Sequence, residues 1–288
     1  MQIILRTVGV MTLASALCGY AQPQPEAQSF DSKGVRIAYV DRGQGEPVLL
    51  LHGFGSNKEA WQEAVAPRLM AAGFRVIAYD ARGHGASGNP TTPEQYGQED
   101  VNDAVRLLDH LSIRRAHIVG YSRGGWVASR FVVQQSPRVR SAILGGWGGP
   151  AGPVETMPLS DCMANAEAIE QGKPQVLLAR ALTPVGLPVQ PPNSSLSPEV
   201  RAARAAAWRG TCTGPKVTAA GLSATGIPIL AIVWELDGNM PSVKAMASHI
   251  RALETVVIPG ASHAAARAHP LFTDRVEAFL RRQRSEGR

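Results

Sequence analysis

Short apolar segments in the first half of the chain alternate with segments in which apolar residues recur every three or four positions. The apolar segments predict strands, and the most continuous of them are typical of strands buried on both faces of a sheet. These predicted strands lie at residues 35–40, 48–51, 75–79 and 116–119. The segments 59–72 and 99–111 have the helical spacing, and the first of them is followed by Gly73. Strands that alternate with helices in this way indicate a parallel sheet with helices on both faces.

The alternation is interrupted in the second half of the chain. After a further strand at 142–144, residues 145–226 are rich in proline and glycine and hold one helical segment, at 198–208. The alternation then resumes with predicted strands at 227–234 and 255–258, a helix at 243–253 and a last helix from Leu271. We therefore predict an α/β fold with a mostly parallel, doubly wound sheet. Its core comprises residues 31–144 and 227–288, and residues 145–226 form a cap inserted over the sheet.

Residues 1–21 have the pattern of a secretory signal peptide. Arg6 is their only charged residue, and residues 8–17 are mostly apolar. This apolar run is shorter than the roughly 20 residues that cross a bilayer. A lipoprotein signal built on Cys18 is the weaker alternative, because a bulky residue precedes that cysteine. We expect a secreted or periplasmic protein with a proline-rich and glutamine-rich linker at 22–30, and no stable membrane insertion once the signal is removed.

Two cysteines, Cys162 and Cys212, lie within the predicted insertion. Disulfides persist in oxidising compartments, so an exported protein with one such pair is expected to join them. Closing a loop of about fifty residues stabilises a fold by roughly 4 kcal/mol when the effect is treated as chain entropy. Two buried free thiols are the alternative that the sequence leaves open.

The composition limits the classes of function. Hydrophobic residues make up 44% and charged residues 18% of the chain, which is unlike either a disordered protein or a membrane bundle. The net charge of +6 is not gathered into a basic stripe with interleaved aromatic residues, which argues against nucleic-acid binding. Metal-ligand spacings, a phosphate-binding loop and a dinucleotide fingerprint are all missing from the sequence. We expect a small-molecule substrate and neither a cofactor nor a metal, and the oligomeric state stays open.

The segment Gly120–Gly124, with the order Gly-Tyr-Ser-Arg-Gly, joins a predicted strand to a predicted helix at 126–135. A G-x-S-x-G sequence in that setting is typical of a sharp turn that raises the serine hydroxyl above the edge of the sheet. The helix that follows directs free N–H groups and the positive end of its dipole toward an anion formed there. Ser122 is therefore the candidate nucleophile. Because so short a pattern also occurs by chance, the residues at the other strand ends decide its meaning.

Active-site residues of an open parallel sheet lie at the carboxyl ends of its strands. Asp237 and His263 each follow a predicted strand in the second half of the chain. Asp237 is expected to hold the imidazole of His263, which takes the proton of Ser122 and returns it to the leaving group. The order Ser, Asp, His along the chain is that of one hydrolase architecture.

A glycine-bracketed turn follows the predicted strand at 48–51. Its residue Phe54 has a backbone N–H that can lie beside the serine, and the N–H of Arg123 supplies a second donor. Two such donors form an oxyanion hole, in which each typically contributes a few kcal/mol to transition-state stabilisation. A simple glycine loop is the alternative for this turn.

Other residues compete for the acid and base roles. Glu235 lies closer to the end of its strand than Asp237 and is expected to face elsewhere. His269 precedes a proline, which is typical of the entry to a helix. Asp80 also ends a strand, but we expect its polar turn, 80–85, to brace the site rather than to supply the acid.

Taken together, the motifs at His52–Gly55, 80–85, Gly120–Gly124, Asp237 and Gly260–His263 resemble those of the α/β-hydrolase fold superfamily. The resemblance covers nearly the whole mature chain apart from the insertion. It implies that the insertion is a cap that shapes the substrate pocket. It also implies a nucleophile, acid and base at Ser122, Asp237 and His263, with the oxyanion hole at the backbone amides of Phe54 and Arg123.

Serine rather than aspartate at the turn disfavours the haloalkane dehalogenase and epoxide hydrolase branches, which the chain otherwise resembles. Hydrolysis of a carboxylic ester or lactone through an acyl-enzyme is the simplest use of these residues. Related members hydrolyse a carbon–carbon bond in a diketone or form peroxyacids, and both activities are alternatives. The fold also serves as a non-catalytic small-molecule receptor, but such a protein has no need of all three groups of a triad.

Three aromatic residues near the predicted strand ends, Tyr121, Trp126 and Trp147, are candidates for an apolar substrate pocket. Each of them is equally compatible with a place in the core. The side chain of Arg123 either attracts a carboxylated substrate or pairs with an acidic residue of the cap or of a helix.

Overall fold

The computed structural model of the protein describes residues 28–182, 195–263 and 269–284. Its strands are β1 Gln28–Asp31, β2 Arg36–Arg42, β3 Glu46–Leu51, β4 Phe74–Tyr79, β5 Ala116–Tyr121, β6 Val139–Gly145, β7 Ile229–Trp234 and β8 Leu253–Ile258. Its α-helices are α1 Val65–Ala71, α2 Gln98–His110, α3 Arg123–Gln134, α4 Leu159–Glu170, α5 Val176–Leu182, α6 Pro198–Thr213, α7 Ala219–Ala224, α8 Met240–Ala247 and α9 Pro270–Arg282. The signal segment expected at 1–21 and residues 22–27 lie outside the described residues.

The strands form one sheet in the order β1-β2-β4-β3-β5-β6-β7-β8. The pairings of β2 with β1 and with β4 are antiparallel, and the other pairings are parallel. The carboxyl ends of the parallel strands therefore meet at one edge of the sheet. This arrangement confirms the prediction of a mostly parallel α/β sheet.

The side chains of β3 show why its sequence is continuously apolar. Leu49 and Leu51 belong to a hydrophobic cluster with residues of α2, α3 and α8 on one face of the sheet. Val48 and Leu50 belong to a second cluster with residues of α1 and α9 on the other face. Because successive side chains of a strand point to opposite faces, a strand covered on both sides needs apolar residues at every position.

The helix expected at 59–72 is two separate elements. A 3₁₀ turn, Lys58–Trp61, is followed by α1, which begins only at Val65. Pro67 explains the break, because a continuous helix would need its missing N–H to bond the carbonyl of Glu63. In α1 the proline stands in the first turn, where no intrahelical donor is needed.

Two other expected boundaries were wrong. Residues 28–30, assigned to the linker, form most of β1, and Phe30 packs against the rings of Tyr39 and His110. The alternation of Phe30 with polar neighbours was the signal for this edge strand. The helix expected at 243–253 begins earlier and ends at Ala247, and Leu253 is already the first residue of β8.

The predicted insertion contains more helix than the one segment expected at 198–208. Helices α4 and α6 pack against each other, and the disulfide between Cys162 and Cys212 joins them, as the sequence predicts. The indole of Trp208 donates a hydrogen bond of 3.0 Å to the carbonyl of Cys162. Farther along, Leu222 of α7 packs into the cluster of α2 and α3. The end of the insertion therefore lies with the core rather than over the sheet.

The described helices are short. The longest of them, α6, has 16 residues. Among the described residues, no helix has both the length and the apolar character needed to cross a membrane.

Candidate active site

Ser122 lies in the turn between β5 and α3 with backbone angles of φ 54° and ψ −117°, which non-glycine residues rarely adopt. Its N–H donates to the carbonyl of Gly145 at 2.7 Å, which ties the turn to the end of β6. A Cβ on Gly120 would overlap the carbonyl of Gly124, and one on Gly124 would overlap the carbonyl of Leu51. Glycine is therefore required at both flanks, and the packed surroundings hold the serine in its strained conformation.

His263 connects Ser122 to Asp237. Its Nδ1 lies 2.8 Å from Oδ2 of Asp237, and its Nε2 lies 2.9 Å from Oγ of Ser122. A carboxylate accepts hydrogen bonds only, so the proton of the neutral imidazole is on Nδ1 and Nε2 can accept the serine proton. The structure thus brings the three predicted residues together in one hydrogen-bonded series.

Asp237 is buried and fixed by its own turn. Its Oδ1 accepts from the backbone N–H of Asn239 at 2.9 Å. The side-chain amide of Asn239 donates to the carbonyl of Gly146 at 3.1 Å, which joins this turn to the end of β6. Asn239 could not be selected from the sequence, because the contact that joins it to Gly146 spans 93 positions of the chain.

The competing residues lie where the sequence predicts. The carboxylate of Glu235 points away from the histidine and accepts from the N–H of Gly260 at 2.9 Å. His269 is the N-cap residue of α9, and its Nδ1 accepts from the N–H of Leu271. Neither residue contacts Ser122, so the geometry favours Asp237 and His263.

Tyr121 does not line a substrate pocket, and this prediction was wrong. Its ring packs against Trp234 and Phe272, and its hydroxyl donates to the backbone carbonyl of His263. Tyr121 shares the sheet face of Val119, two positions earlier on β5, and that face is covered by α1 and α9. Tyr121 therefore supports the loop that holds His263.

A cavity of about 60 Å³ adjoins Ser122 and His263. Two of the predicted pocket residues, Trp126 and Trp147, line it. Trp126 lies on α3, and Trp147 follows β6 at the start of the predicted insertion. The cap contributes further walls that the sequence did not identify, namely Leu178 of α5 and both Trp208 and Thr211 of α6. The cavity is therefore largely apolar, and four aromatic side chains, those of Phe54, Trp126, Trp147 and Trp208, line it together with Ser122 and His263.

Phe54 and Arg123, the predicted oxyanion-hole residues, both line this cavity together with Ser122. A Cβ on Gly53 would lie 3.3 Å from Cβ of Ser122, so the turn before Phe54 passes directly beside the nucleophile. Arg123 is the first residue of α3, where a backbone N–H has no intrahelical partner. Donation by these two amides to an oxyanion remains a prediction.

The side chain of Arg123 pairs with an acidic residue of a helix, which was one of the two alternatives. Its Nη2 lies 2.7 Å from Oδ2 of Asp100 on α2, and both side chains are almost fully buried. Its Nε donates to Oγ1 of Thr211 on α6 at 3.2 Å. The residue after the nucleophile therefore contacts both the core and the cap.

Asp80 braces the loops beside the site, as predicted. Its carboxylate accepts from Nζ of Lys58 at 2.9 Å and from the backbone N–H groups of Lys58 and Ala86 at 2.7 and 2.8 Å. These bonds connect the turn after β4 to the turn after β3. Asp80 thus has a structural role. Its partner Lys58 is a buried cation that no local sequence motif predicts.

His52 is a neutral structural residue. Its Nδ1 donates to the carbonyl of Gly53 at 2.8 Å, and its Nε2 accepts from the N–H of Ala81 at 3.0 Å. Burial lowers the pKa of His52 to about 4. Burial also lowers the pKa of neighbouring His84 well below its usual value. Both rings are therefore uncharged at neutral pH.

The described residues offer no cluster of three or more histidine, cysteine, aspartate or glutamate side chains that could hold a metal ion. Asp100 and Thr211, which the sequence analysis did not select, both contact a residue that is distant in the chain. Arg123 and Thr211 are 88 positions apart, and Arg123 and Asp100 are 23 apart. Only the folded arrangement of α2, α3 and α6 brings them together.

Known proteins that this chain resembles in sequence or fold include hydrolases and non-heme haloperoxidases. Residues 48–281 match the alpha/beta hydrolase family. A non-heme chloroperoxidase of Kitasatospora aureofaciens is 41% identical over 118 residues, 38% of this chain and 40% of that protein. A 2-hydroxy-6-oxo-6-phenylhexa-2,4-dienoate hydrolase of Burkholderia cepacia is 38% identical over 117 residues, 40% of this chain and 41% of that protein. The chain thus spans about two-fifths of the length of these curated relatives.

The structural likeness is more extensive than the sequence likeness. The structure of a thermophilic esterase from Thermogutta terrifontis matches with a TM-score of 0.72 and 25% identity. That match covers 90% of this chain and 98% of the esterase.

Proposed function

This chain belongs to the alpha/beta hydrolase family, and from that premise we propose that it is a serine hydrolase that cleaves a carboxylic ester or lactone through an acyl-enzyme. The observation that carries the proposal is the series from Asp237 through His263 to Ser122, with both hydrogen bonds within 2.9 Å. Such a series activates a serine hydroxyl as a nucleophile. The strained turn at Ser122 supports the same role, because strain of this kind gathers at functional sites.

Acylation follows from the positions of these groups. Oγ of Ser122 forms a bond to the carbonyl carbon, and its proton passes to Nε2 of His263. The carbonyl oxygen becomes an oxyanion beside the amides of Phe54 and Arg123. The bond to the leaving oxygen then breaks, and that oxygen takes the proton from His263 and departs as an alcohol, or stays attached as a hydroxyl when the substrate is a lactone.

Deacylation repeats these steps with water. His263 takes a proton from the water while its oxygen bonds to the acyl carbon. The second tetrahedral intermediate collapses, the bond to Oγ of Ser122 breaks, and the serine recovers the proton from His263. Asp237 stays ionised throughout and stabilises the imidazolium that forms in each half.

The solved esterase, 25% identical over nearly the whole of both chains, is compatible with an ester substrate. A solved meta-cleavage product hydrolase is alike over a similar extent at 22% identity, so this likeness shows the fold and does not choose between the two reactions. The carbon–carbon hydrolase and the chloroperoxidase are similar over only about two-fifths of their lengths. Carbon–carbon bond hydrolysis and the haloperoxidase reaction are therefore the alternatives that a substrate screen has to exclude.

We also propose that the protein works outside the cytoplasm. The signal-like pattern of residues 1–21 and the disulfide between Cys162 and Cys212 support this location. Expression of the full-length chain followed by fractionation tests it. Recovery of a shortened, disulfide-bonded protein from the exported fraction is expected, and retention of the uncleaved chain in the cytoplasm would contradict it.

Covalent labelling tests the nucleophile. We expect a fluorophosphonate probe to label the protein on Ser122, and Ser122→Ala to lose both the label and the hydrolysis of acyl esters. The matched control is Ser129→Ala, because Ser129 is a buried serine on α3 whose hydroxyl is already bonded to the carbonyl of Trp126. A folded protein that takes no label and hydrolyses no ester, diketone or lactone would contradict the proposal.

A further inference from the structure

The cavity beside Ser122 is mostly apolar, and one residue of its wall is an arginine. Arg123 lines the cavity together with Trp126 and Trp208. A cation in a largely apolar pocket requires an explanation, because an unpaired charge removed from water is costly.

The positive charge of Arg123 is already balanced. Oδ2 of Asp100 accepts from Nη2 of Arg123 and from the N–H of Gly97. The other carboxylate oxygen of Asp100 is enclosed and has no hydrogen-bond partner in the described part of the chain. Asp100 therefore depends on Arg123 as its counter-ion, and the guanidinium cannot turn to another anion without leaving a buried carboxylate unpaired.

The hydrogen-bonding capacity of Arg123 is not used up. Its Nε and Nη2 bond to Thr211 and Asp100, whereas Nη1 makes no hydrogen bond to the described residues. The side chain keeps 4% of its surface exposed, and it lines the cavity. Arg123 thus lines the cavity and has one donor, Nη1, without a partner among the described residues, while its charge is balanced by Asp100.

We propose that Arg123 is a specificity residue that selects acyl groups carrying a neutral hydrogen-bond acceptor, such as a ketone oxygen, a few bonds from the scissile carbonyl. This inference rests on the proposed ester hydrolysis and deepens it. The acyl group is the part of the substrate that stays bonded to Ser122, so it is the part that the small adjoining cavity has to hold.

A carboxylated acyl group is disfavoured by the same contacts. The charge of Arg123 is committed to Asp100, and the other charged residue on the cavity wall, Glu155, is itself a carboxylate paired with Arg130 at 2.8 Å. Arg204 has no carboxylate partner among the described residues, but its side chain bonds the carbonyl of Gly83 and does not line the cavity. An anion would lose its hydration without gaining a free counter-ion.

Three methyl esters of nearly equal shape distinguish a preference for an apolar acyl group, for one with a neutral hydrogen-bond acceptor and for one with a carboxylate. Methyl 4-methylpentanoate ends in an apolar branch, methyl 4-oxopentanoate replaces one methyl of that branch with a ketone oxygen, and monomethyl succinate replaces the branch with a carboxylate. The released acid is measured by pH-stat titration at neutral pH, and kcat/KM is divided by the rate of alkaline hydrolysis of each ester. For the wild-type protein we expect the oxo ester to exceed the methyl-branched ester by about tenfold, which is the effect of one well-formed hydrogen bond.

Two variants test the residue without leaving Asp100 unpaired. Asp100→Asn/Arg123→Met removes the whole ion pair. Arg123→Lys keeps a cation for Asp100, but its single ammonium group leaves no second nitrogen to reach the cavity. We expect the preference for the oxo ester to fall to about one in both. A preference that survives in the double variant, or a wild-type protein that prefers the succinate ester or does not distinguish the three, would overturn the inference.

The two proposals fail in different ways. If Ser122 takes the fluorophosphonate label and esters are hydrolysed without the oxo preference, only the specificity inference is wrong. If neither label nor turnover is found in folded protein, the hydrolase proposal is wrong and the inference falls with it.

Discussion

The two sides of the candidate site are built in different ways. On the core side, Ser122, Asp237 and His263 stand in turns directly after β5, β7 and β8. On the cap side, Trp208 and Thr211 stand on α6, which a disulfide joins to α4. The reacting groups are therefore positioned by the backbone of the sheet, whereas the pocket walls depend on how separate helices pack.

This difference predicts that the chemistry and the substrate preference can be changed separately. Substitutions in the turns after the strands should lower turnover by large factors with little effect on stability. Substitutions in the cap should change stability and KM while leaving the nucleophile reactive.

The largest expected effect is that of Asp237→Asn. The substituted amide cannot replace the carboxylate that accepts from Nδ1 of His263 and stabilises its charged form, so we expect kcat to fall by about 10⁴-fold. Steady-state hydrolysis of a short acyl ester measures this. Glu235→Gln is the matched control and should retain nearly full activity, because the bond that Glu235 makes within the described part of the chain is to the exposed N–H of Gly260. Equal losses in the two variants would contradict the assignment of the acid.

The same difference explains what the sequence could predict. Ser122, Asp237 and His263 were found because each lies within a few residues of a strand end, where local spacing carries the signal. Tyr121 was misplaced because a position near a strand end does not say which face of the sheet the side chain takes. That choice depends on the register of β5, which buries Tyr121 under α9.

The cap could not be predicted in the same way. Trp208 and Thr211 contact residues far away in the chain, and α6 is rich in alanine, so its sequence shows no strongly apolar face. Lys58 and Asp100 resemble ordinary surface residues until their partners Asp80 and Arg123 are known. Buried ion pairs of this kind leave no periodic pattern, because each partner is a single residue on a different element.

The second prediction concerns the cap disulfide. The variant Cys162→Ala/Cys212→Ala should lower the free energy of unfolding by about 4 kcal/mol, because it frees a loop of 50 residues. Denaturant titration measures the loss, with reduced wild-type protein as the control. We expect KM for acyl esters to rise, since α6 carries Trp208 and Thr211, while the fluorophosphonate still labels Ser122. A folded variant that no longer labels would show that the reactive serine depends on the cap.

The third prediction concerns the pH dependence of stability, which should come from the core and not from the cap. Unfolded His52 takes up a proton near pH 6.5, whereas burial keeps the folded residue neutral down to about pH 4. The unfolded state therefore binds more protons between these values. Stability should fall as the pH falls through that window, by about 3 kcal/mol at most for this residue.

The cysteine double variant of the cap is the control for this effect. Residues 145–226 contain no histidine, so the cysteine double variant should show the same pH slope as the wild type. His52→Gln should reduce the slope by about one proton while His84 continues to contribute, as denaturant titrations at pH 7, 5.5 and 4 will show. An unchanged slope would mean that His52 is not neutral in the folded state.

The smallest expected effect compares two tryptophans that line the same cavity. Nε1 of Trp208 donates to the carbonyl of Cys162, whereas Nε1 of Trp147 is enclosed and has no partner in the described ranges. Replacement by phenylalanine removes the same atoms from each side chain, so the loss of packing is similar in the two variants. Only Trp208→Phe also loses a hydrogen bond, which is worth about 1 kcal/mol.

We therefore expect Trp208→Phe to lower the free energy of unfolding by about 1 kcal/mol more than Trp147→Phe. Since the unpaired indole N–H of Trp147 loses its hydration without compensation, removing it offsets part of the cost of the smaller ring. Parallel denaturant titrations measure the difference. Equal losses would mean that the bond from Trp208 to Cys162 adds nothing to the attachment of α6 to α4, and that the disulfide and the apolar contacts alone hold the cap wall in place.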